Sequence, residues 1–187
     1  MATATVLAGG AGSRLGGAKA TALFAGRPLI AHVVAAARAG GLEPVVVAKA
    51  RSPLPPLDCP VLIEPDEPRH PLLGIVTALR ELHQPALTVC ACDMPFVTGP
   101  LLAWLAALED PLAVTSAGGE LQPLLGRYSA SLLARLEAAL AEGVSMREVA
   151  GRLGARVLGA AELERFGDPL LLCSSINTPA ELEAAGG

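Results

Sequence analysis

Two places in this 187-residue sequence gather side chains suited to handling a polyphosphate. The first is the glycine-rich stretch Gly9-Gly-Ala-Gly-Ser-Arg-Leu-Gly-Gly17, which follows an apolar run and leads into Lys19. Glycines let main chain approach a phosphate and aim successive N–H groups at it, and Arg14 and Lys19 add positive charge. The second is Asp93 in Cys92-Asp-Met-Pro95, where a carboxylate closes another apolar run. A carboxylate so placed suits Mg²⁺ that also binds triphosphate oxygens. Each feature has a plainer alternative: the loop as a structural turn, Asp93 as a turn or helix-entry residue. Two familiar phosphate motifs are excluded. Ala18 stands where a P-loop needs its Lys, with no Ser or Thr following Lys19, and Leu15 stands where the dinucleotide fingerprint needs Gly or Ala. A dinucleotide oxidoreductase is thereby set aside.

Charge is distributed in the same sense. Residues 1–42 carry Arg14, Lys19, Arg27 and Arg38 and no acid, so this segment is +4 in a chain of formal charge −4. An acidic protein with a cationic N-terminal segment suits a small anion better than a polyanion to be wrapped. The chain has 12 Arg but only two Lys, and one of the two, Lys19, follows the glycine loop, as a site wanting a compact point charge would have it. Asn177, the only Asn, lies in Ser175-Ile-Asn-Thr-Pro179, as a turn, a cap or a ligand. Asp66, in Glu64-Pro-Asp-Glu67, reads as a loop charge. His32, His70 and His83 form no cluster; His32 is expected on a packed helix face or its margin, the other two on the surface. No Ser–His–Asp or Cys–His pairing suggests itself.

These residues need a frame. Apolar runs at Thr3–Ala8, Pro44–Ala48, Val61–Ile63 and Ala86–Ala91 read as buried strands, with further strands at Leu112–Thr115 and Leu121–Gly126. Ala22–Phe24 reads as a short strand and Ala25–Pro28 as a turn. Between them fall amphipathic helices at Pro28–Ala39, stopped by Gly40-Gly41, and at Leu72–His83, Thr98–Leu108 with Thr98 as a candidate cap, Ser129–Ala141 and Ser145–Leu153. Val157-Leu158 and Leu170–Leu172 read as short extended runs, and Thr178-Pro179 opens a last helix with Thr178 as its cap. Apolar strands alternating with helices predict an α/β fold: three layers, doubly wound, with a mainly parallel sheet covered on both faces. No repeat or linker divides the chain, so residues 1–187 are expected to form one domain. In such a sheet ligands sit beyond the carboxyl ends of the strands, which is where both the glycine loop and Asp93 fall.

Composition narrows the field further. With 52 % hydrophobic residues and 17 % charged, the chain can bury enough surface to offset its ordering entropy. No apolar run reaches the length of a bilayer span, and the opening residues lack the features of a secretory signal. Five aromatics are too few for a base-stacking nucleic-acid surface. Cys59, Cys90, Cys92 and Cys173 lack metal-ligand spacing and read as small buried thiols. The expectation is a cytoplasmic, globular protein that binds neither nucleic acid nor membrane.

Leu7-Ala-Gly-Gly-Ala-Gly-Ser-Arg-Leu-Gly-Gly-Ala-Lys19 resembles the signature of the molybdenum cofactor guanylyltransferase family of the nucleotidyltransferase superfamily. The likeness continues through Gly26–Leu29, His70–Ile75, Ala91–Val97, Gln122–Tyr128 and Ile176–Leu182, nearly the whole chain. The resemblance implies a Rossmann-like nucleotidyltransferase fold and an enzyme moving GMP from GTP to the terminal phosphate of molybdopterin, with Mg²⁺ as cofactor and pyrophosphate released. It implies that Leu7, Ala8 and Gly9 meet the guanine or its ribose, and that Gly10, Gly12, Arg14 and Lys19 meet the triphosphate. It further implies that Asp93 carries Mg²⁺, that Asp66 lies against the nucleotide, and that Asn177 sits near the metal or the acceptor. Molybdenum cofactor carrier or acceptor proteins are the implied macromolecular contacts. Gly9, in Ala-Gly-Gly rather than Ala-Ala-Gly, resembles the guanylyl more than the cytidylyl branch. The sequence departs from the pattern at Leu15, at Ala18, at Ala48-Lys49-Ala50 where an Asn is common, and at Ser174-Ser175. The alternatives are a CTP-using molybdenum cofactor cytidylyltransferase, another nucleotidyltransferase with a phosphate acceptor, and a non-catalytic nucleotide-binding module.

Overall fold

The computed structural model describes residues 1–9 and 19–186. A seven-stranded sheet runs through it. Its strands are β1 (Thr3–Leu7), β4 (Glu43–Lys49), β5 (Val61–Glu64), β6 (Ala86–Ala91), β7 (Leu112–Ala117), β8 (Glu120–Ser129) and β9 (Arg156–Leu158). The short β2 (Leu23–Phe24) and β3 (Arg27–Pro28) form a separate antiparallel pair where the sequence suggests a strand and a turn. The sheet order is β5-β4-β1-β6-β8-β7-β9, with β8 antiparallel to both neighbours and every other pairing parallel. The mainly parallel, doubly wound α/β arrangement expected from the sequence is therefore present.

The helices are α1 (Leu29–Ala39), α2 (Pro71–Leu82), α3 (Gly99–Ala107), α4 (Leu133–Glu142), α5 (Met146–Arg152), α6 (Ala160–Leu163), α7 (Pro169–Leu172) and α8 (Pro179–Gly186). Side chains alternate across each strand, so one strand feeds two cores. Val46 and Ala48 join Ile30, Val33 and Ala37 of α1 and Leu101, Leu102 and Leu105 of α3 on one face. Val47 between them joins Leu72, Ile75 and Leu79 of α2 and Leu136 of α4 on the other. Burying a side chain of this size stabilises by about 1.5–3 kcal/mol, which is why these strands are apolar on both faces.

Four local expectations are corrected. Leu170–Leu172 is the helical turn α7 rather than an extended run, with Asp168 Oδ1 accepting from Leu170 N at 2.9 Å. Three apolar residues carry no period, so the Asp-Pro start decides. The chain stays in β8 to Ser129, because Ser129 N still bonds Pro111 O at 2.8 Å, and the helix expected from Ser129 begins as α4 after a 3₁₀ turn. Thr98 makes no side-chain cap bond at α3. His70 is half-buried and caps α2, its Nδ1 accepting from Leu72 N at 3.1 Å. By contrast, His32 lies at the margin of its helix with Nε2 bonded to Phe24 O, and His83 is exposed. Among the described residues no helix is long and apolar enough to cross a membrane.

The order of strands locates the site. From β1 the chain moves outward through β4 to β5, then returns to place β6 on the other side of β1. The reversal opens a crevice at the carboxyl ends of β1 and β6, the usual ligand position in open α/β sheets.

Candidate active site

Lys19 begins a single 3₁₀ turn, Lys19–Thr21, and reaches back across the end of the sheet. Its Nζ donates to Asp93 Oδ2 at 2.8 Å and also to Asn177 Oδ1. These partners lie 74 and 158 residues away along the chain. The ammonium has three N–H donors, and among the described residues two protein oxygens engage it.

Asp93 is held from both sides. Cys92 N donates to Leu7 O at 3.0 Å, carrying the β1–β6 pairing one residue beyond the strands, and Asp93 O accepts from Ile176 N at 2.8 Å. The carboxylate is buried, with only 10 % of its side chain exposed. Asn177 is turned toward Lys19 by its own amide, Nδ2 donating to Ser175 Oγ at 2.7 Å and Ser175 O at 3.3 Å. The adjacent Cys92 thiol is pushed up to about 12 by burial and by the Asp93 charge, so it stays protonated and is no nucleophile.

Beside this corner lies a cleft of about 600 Å³, bordered by Leu7, Gly9, Lys49, Glu64, His70 and Gly74. Leu7 joins the two: its carbonyl accepts from Cys92 N, and it lines the cleft. The floor is Glu64, the last residue of β5, whose side chain is 6 % exposed. Strand register sets Glu64 beside Lys49, and their Oε1 and Nζ lie 3.4 Å apart. Lys49 Nζ also donates to Pro65 O at 2.7 Å. Burial pushes the Glu64 carboxyl above the ordinary glutamate range, and the charge of Lys49 and its hydrogen bond pull the other way. Two glycines make room for this carboxylate. A methyl group on Gly9 would overlap Glu64 Oε1, and one on Gly74 would stand 3.0 Å from Oε2 and 2.9 Å from Leu7 Cδ2.

The structure thus brings Lys19, Asp93 and Asn177 into one contact, with Leu7 and Gly9 on the wall of the neighbouring cleft. Asp66 borders the same cleft from an exposed position. Ala8 is buried in the core, its N–H bonded to Val47 O at 2.8 Å. Gly10, Gly12 and Arg14 lie outside the described residues. Sequence reasoning missed Glu64, Lys49 and His70. The signal for the first two was present: an acid ending one parallel strand, and the second of only two lysines ending its neighbour.

A divalent cation fits this donor set in one way. Among the described residues no group of three or more His, Cys, Asp or Glu converges, which leaves out an all-protein cage. Asp93 Oδ2 is taken by Lys19, and no other described side chain bonds Oδ1. A single available carboxylate suits Mg²⁺, which keeps several waters and completes its shell with substrate phosphates.

Comparison with known proteins identifies the family and the fold. The family model described as MobA-like NTP transferase domain matches residues 4–157. A molybdenum cofactor guanylyltransferase from Cereibacter sphaeroides is 34 % identical, over 96 % of this chain and 93 % of its own. One from Pseudomonas entomophila is 31 % identical, over 89 % of this chain and 94 % of its own. Among solved structures, molybdopterin-guanine dinucleotide biosynthesis protein A from Archaeoglobus fulgidus superposes with a TM-score of 0.81 at 25 % identity, covering 98 % of this chain and 96 % of that one. The 2-C-methyl-D-erythritol 4-phosphate cytidylyltransferase from Thermus thermophilus shares the fold, with a TM-score of 0.69 at 20 % identity, covering 100 % of this chain and 98 % of that one.

Proposed function

The chain belongs to the MobA-like NTP transferase family, and from that membership we propose that it is a molybdenum cofactor guanylyltransferase, moving GMP from GTP to the terminal phosphate of molybdopterin. The observation that carries the reading is the meeting of Lys19, Asp93 and Asn177 beyond β1 and β6. Residues 1–187 act in this reading as one nucleotidyltransferase domain. A phosphate oxygen of molybdopterin attacks the α-phosphorus of GTP, the bond from that phosphorus to the β-bridging oxygen breaks, and pyrophosphate leaves. The attacking oxygen is already ionised near neutral pH, so no strong general base is required. The task is to hold two anions in line and offset their repulsion.

The residues divide that task by position. Lys19 has a third N–H that no described residue takes, suited to a phosphate oxygen, and its ammonium neutralises charge on the transferring and leaving phosphates. Gly10, Gly12 and Arg14, in the glycine-rich loop leading to Lys19, complete the triphosphate grip. Asp93 holds Mg²⁺, which when bound supplies positive charge to the phosphate oxygens. Asn177 faces the acceptor side. Leu7, Gly9 and Asp66 border the base and ribose, with Ala8 behind them in the wall. Glu64 on the floor is the natural acceptor for the N–H groups of guanine.

That floor supports guanine over cytosine. An alanine at position 9 would overlap Glu64 Oε1, so the glycine and the carboxylate go together. In this reading the reaction takes place in the cytoplasm, where its donor GTP is made, and the product passes to a molybdenum cofactor carrier or acceptor protein. The test is incubation with Mg²⁺, molybdopterin and each nucleoside triphosphate, following pyrophosphate and the dinucleotide product. GTP alone is expected to react. Turnover with CTP would make the protein a cytidylyltransferase, and GTP binding without pyrophosphate would make it a non-catalytic module.

A further inference from the structure

Asn177 contacts Lys19 with its side chain, whose amide also bonds Ser175, while its main-chain N–H is held from the following helix. The segment Ser175–Thr178 is an irregular stretch anchored at two ends. Upstream, Ile176 N donates to Asp93 O at 2.8 Å. Downstream, a single carboxylate oxygen takes two main-chain donors: Glu181 Oε2 accepts from Asn177 N at 2.6 Å and from Thr178 N at 3.0 Å. Thr178 returns the bond, its Oγ1 accepting from Glu181 N at 3.2 Å. This is a capping box, with Thr178 as cap and Glu181 as the third residue of α8. An ordinary capping box satisfies donors of its own helix. This one also takes the amide of the residue before the cap, and that residue holds the lysine.

We propose that Glu181 is a positioning residue for nucleotidyl transfer: its carboxylate fixes the Asn177 main chain so that the Asn177 side chain meets Lys19. The inference rests on the reading of Lys19 as the phosphate-neutralising group. Glu181 is exposed on the surface and touches neither Lys19 nor Asp93 by a hydrogen bond. It acts through Asn177. Nucleotide binding draws on the glycine loop and the cleft, so loss of Glu181 moves turnover more than the KM for GTP.

Because Asn177 is the only asparagine in the chain, selective ¹⁵N-asparagine labelling gives one main-chain signal and one side-chain pair. In the full-length protein, Glu181→Ala is expected to shift both signals and to speed exchange of the Asn177 amide proton. The same variant is expected to lower kcat about tenfold, as loss of a group supporting a site residue typically does, with the KM for GTP little changed. Glu181→Gln keeps an oxygen for the two amides and is expected to recover most of that loss. The double variant Asn177→Ala/Glu181→Ala should be no slower than Asn177→Ala alone. Additive losses would show that Glu181 acts only on the stability of α8 and would overturn the proposal, as would an unmoved Asn177 amide signal or undiminished turnover in Glu181→Ala. A wild-type protein that released no pyrophosphate from GTP would fail the functional reading instead, and the labelled spectra would still report on the contact.

Discussion

The chain has two lysines, and each pairs with an acid at the carboxyl end of a parallel strand, yet the two pairs are built differently. Lys49 and Glu64 are register partners on adjacent strands, so the pairing of β4 with β5 is enough to create their contact. Lys19 meets Asp93 and Asn177 only because three distant segments arrive at the same point. The first pair closes a floor; its lysine contacts Glu64 and a main-chain carbonyl. The second joins side chains from three separate segments and its lysine is somewhat more exposed, at 23 % for Lys19 against 17 % for Lys49. A pair made by register suits shaping a pocket, and one assembled across the switch point suits gripping a ligand that itself bridges the crevice.

Replacing the lysines separates these roles. Lys19→Ala is expected to cost on the order of 10²–10³ in kcat with the thermal transition retained, the usual penalty for removing a preorganised charge-stabilising group. Lys49→Ala should leave turnover at saturating GTP much closer to wild type, and equal losses in kcat would break the contrast. Asp93→Asn sharpens the same point. It keeps the shape and removes the charge, so the Mg²⁺ concentration needed for half-maximal pyrophosphate release should rise, while an unchanged requirement would remove Asp93 from metal binding.

On the floor the expected effects are smaller and fall on KM. Glu64→Gln should raise the KM for GTP by about 10–100-fold, the equivalent of one hydrogen bond to a charged group, with kcat moved less. Gly9→Ala should act in the same direction by displacing the Glu64 carboxylate. Steady-state kinetics with GTP check both.

The smallest effects are in the pH dependence of stability, where two carboxylates run opposite ways. Burial raises Glu64, so the folded protein takes up its proton more readily than the unfolded chain. Its contribution is fully present below the ordinary glutamate pKa and lost as pH rises through the folded value. Glu181 is lowered by the Asn177 and Thr178 amides, so its contribution is present above the ordinary value and lost as pH falls through the folded one. Thermal melts from mild acid to neutral pH should show Glu64→Gln gaining on wild type as pH rises and Glu181→Gln losing ground over the same interval. Parallel curves would remove the contrast.

Much of the scaffold is legible from residue order. Helix α1 follows from Leu29, Ile30, Val33, Val34 and Ala37 recurring on one face and from Gly40-Gly41 after it. The cap at Thr178 was equally readable, and Glu181 answers it three residues on. Short segments were harder. Leu170–Leu172 could be strand or helix until Asp168 capped it, and β8 outran its expected end because Pro111 supplied a partner for Ser129. In the site, Asp66 drew attention as a loop acid, whereas Glu64, two residues earlier, is the one in the floor. Burial of a charged side chain depends on what packs over it, here Gly9 and Gly74 from other parts of the chain.

Residue order alone determined the alternation of apolar strands and amphipathic helices, the glycine-rich turn after β1 and the acid after β6, because periodicity and local turn chemistry act over a few residues. Tertiary structure alone decided that Lys19, Asp93 and Asn177 share one contact and that Glu64 is buried beneath the cleft. Contacts across 74 and 158 residues have no local signature; they exist only once the order of strands has folded those ends onto the same edge of the sheet.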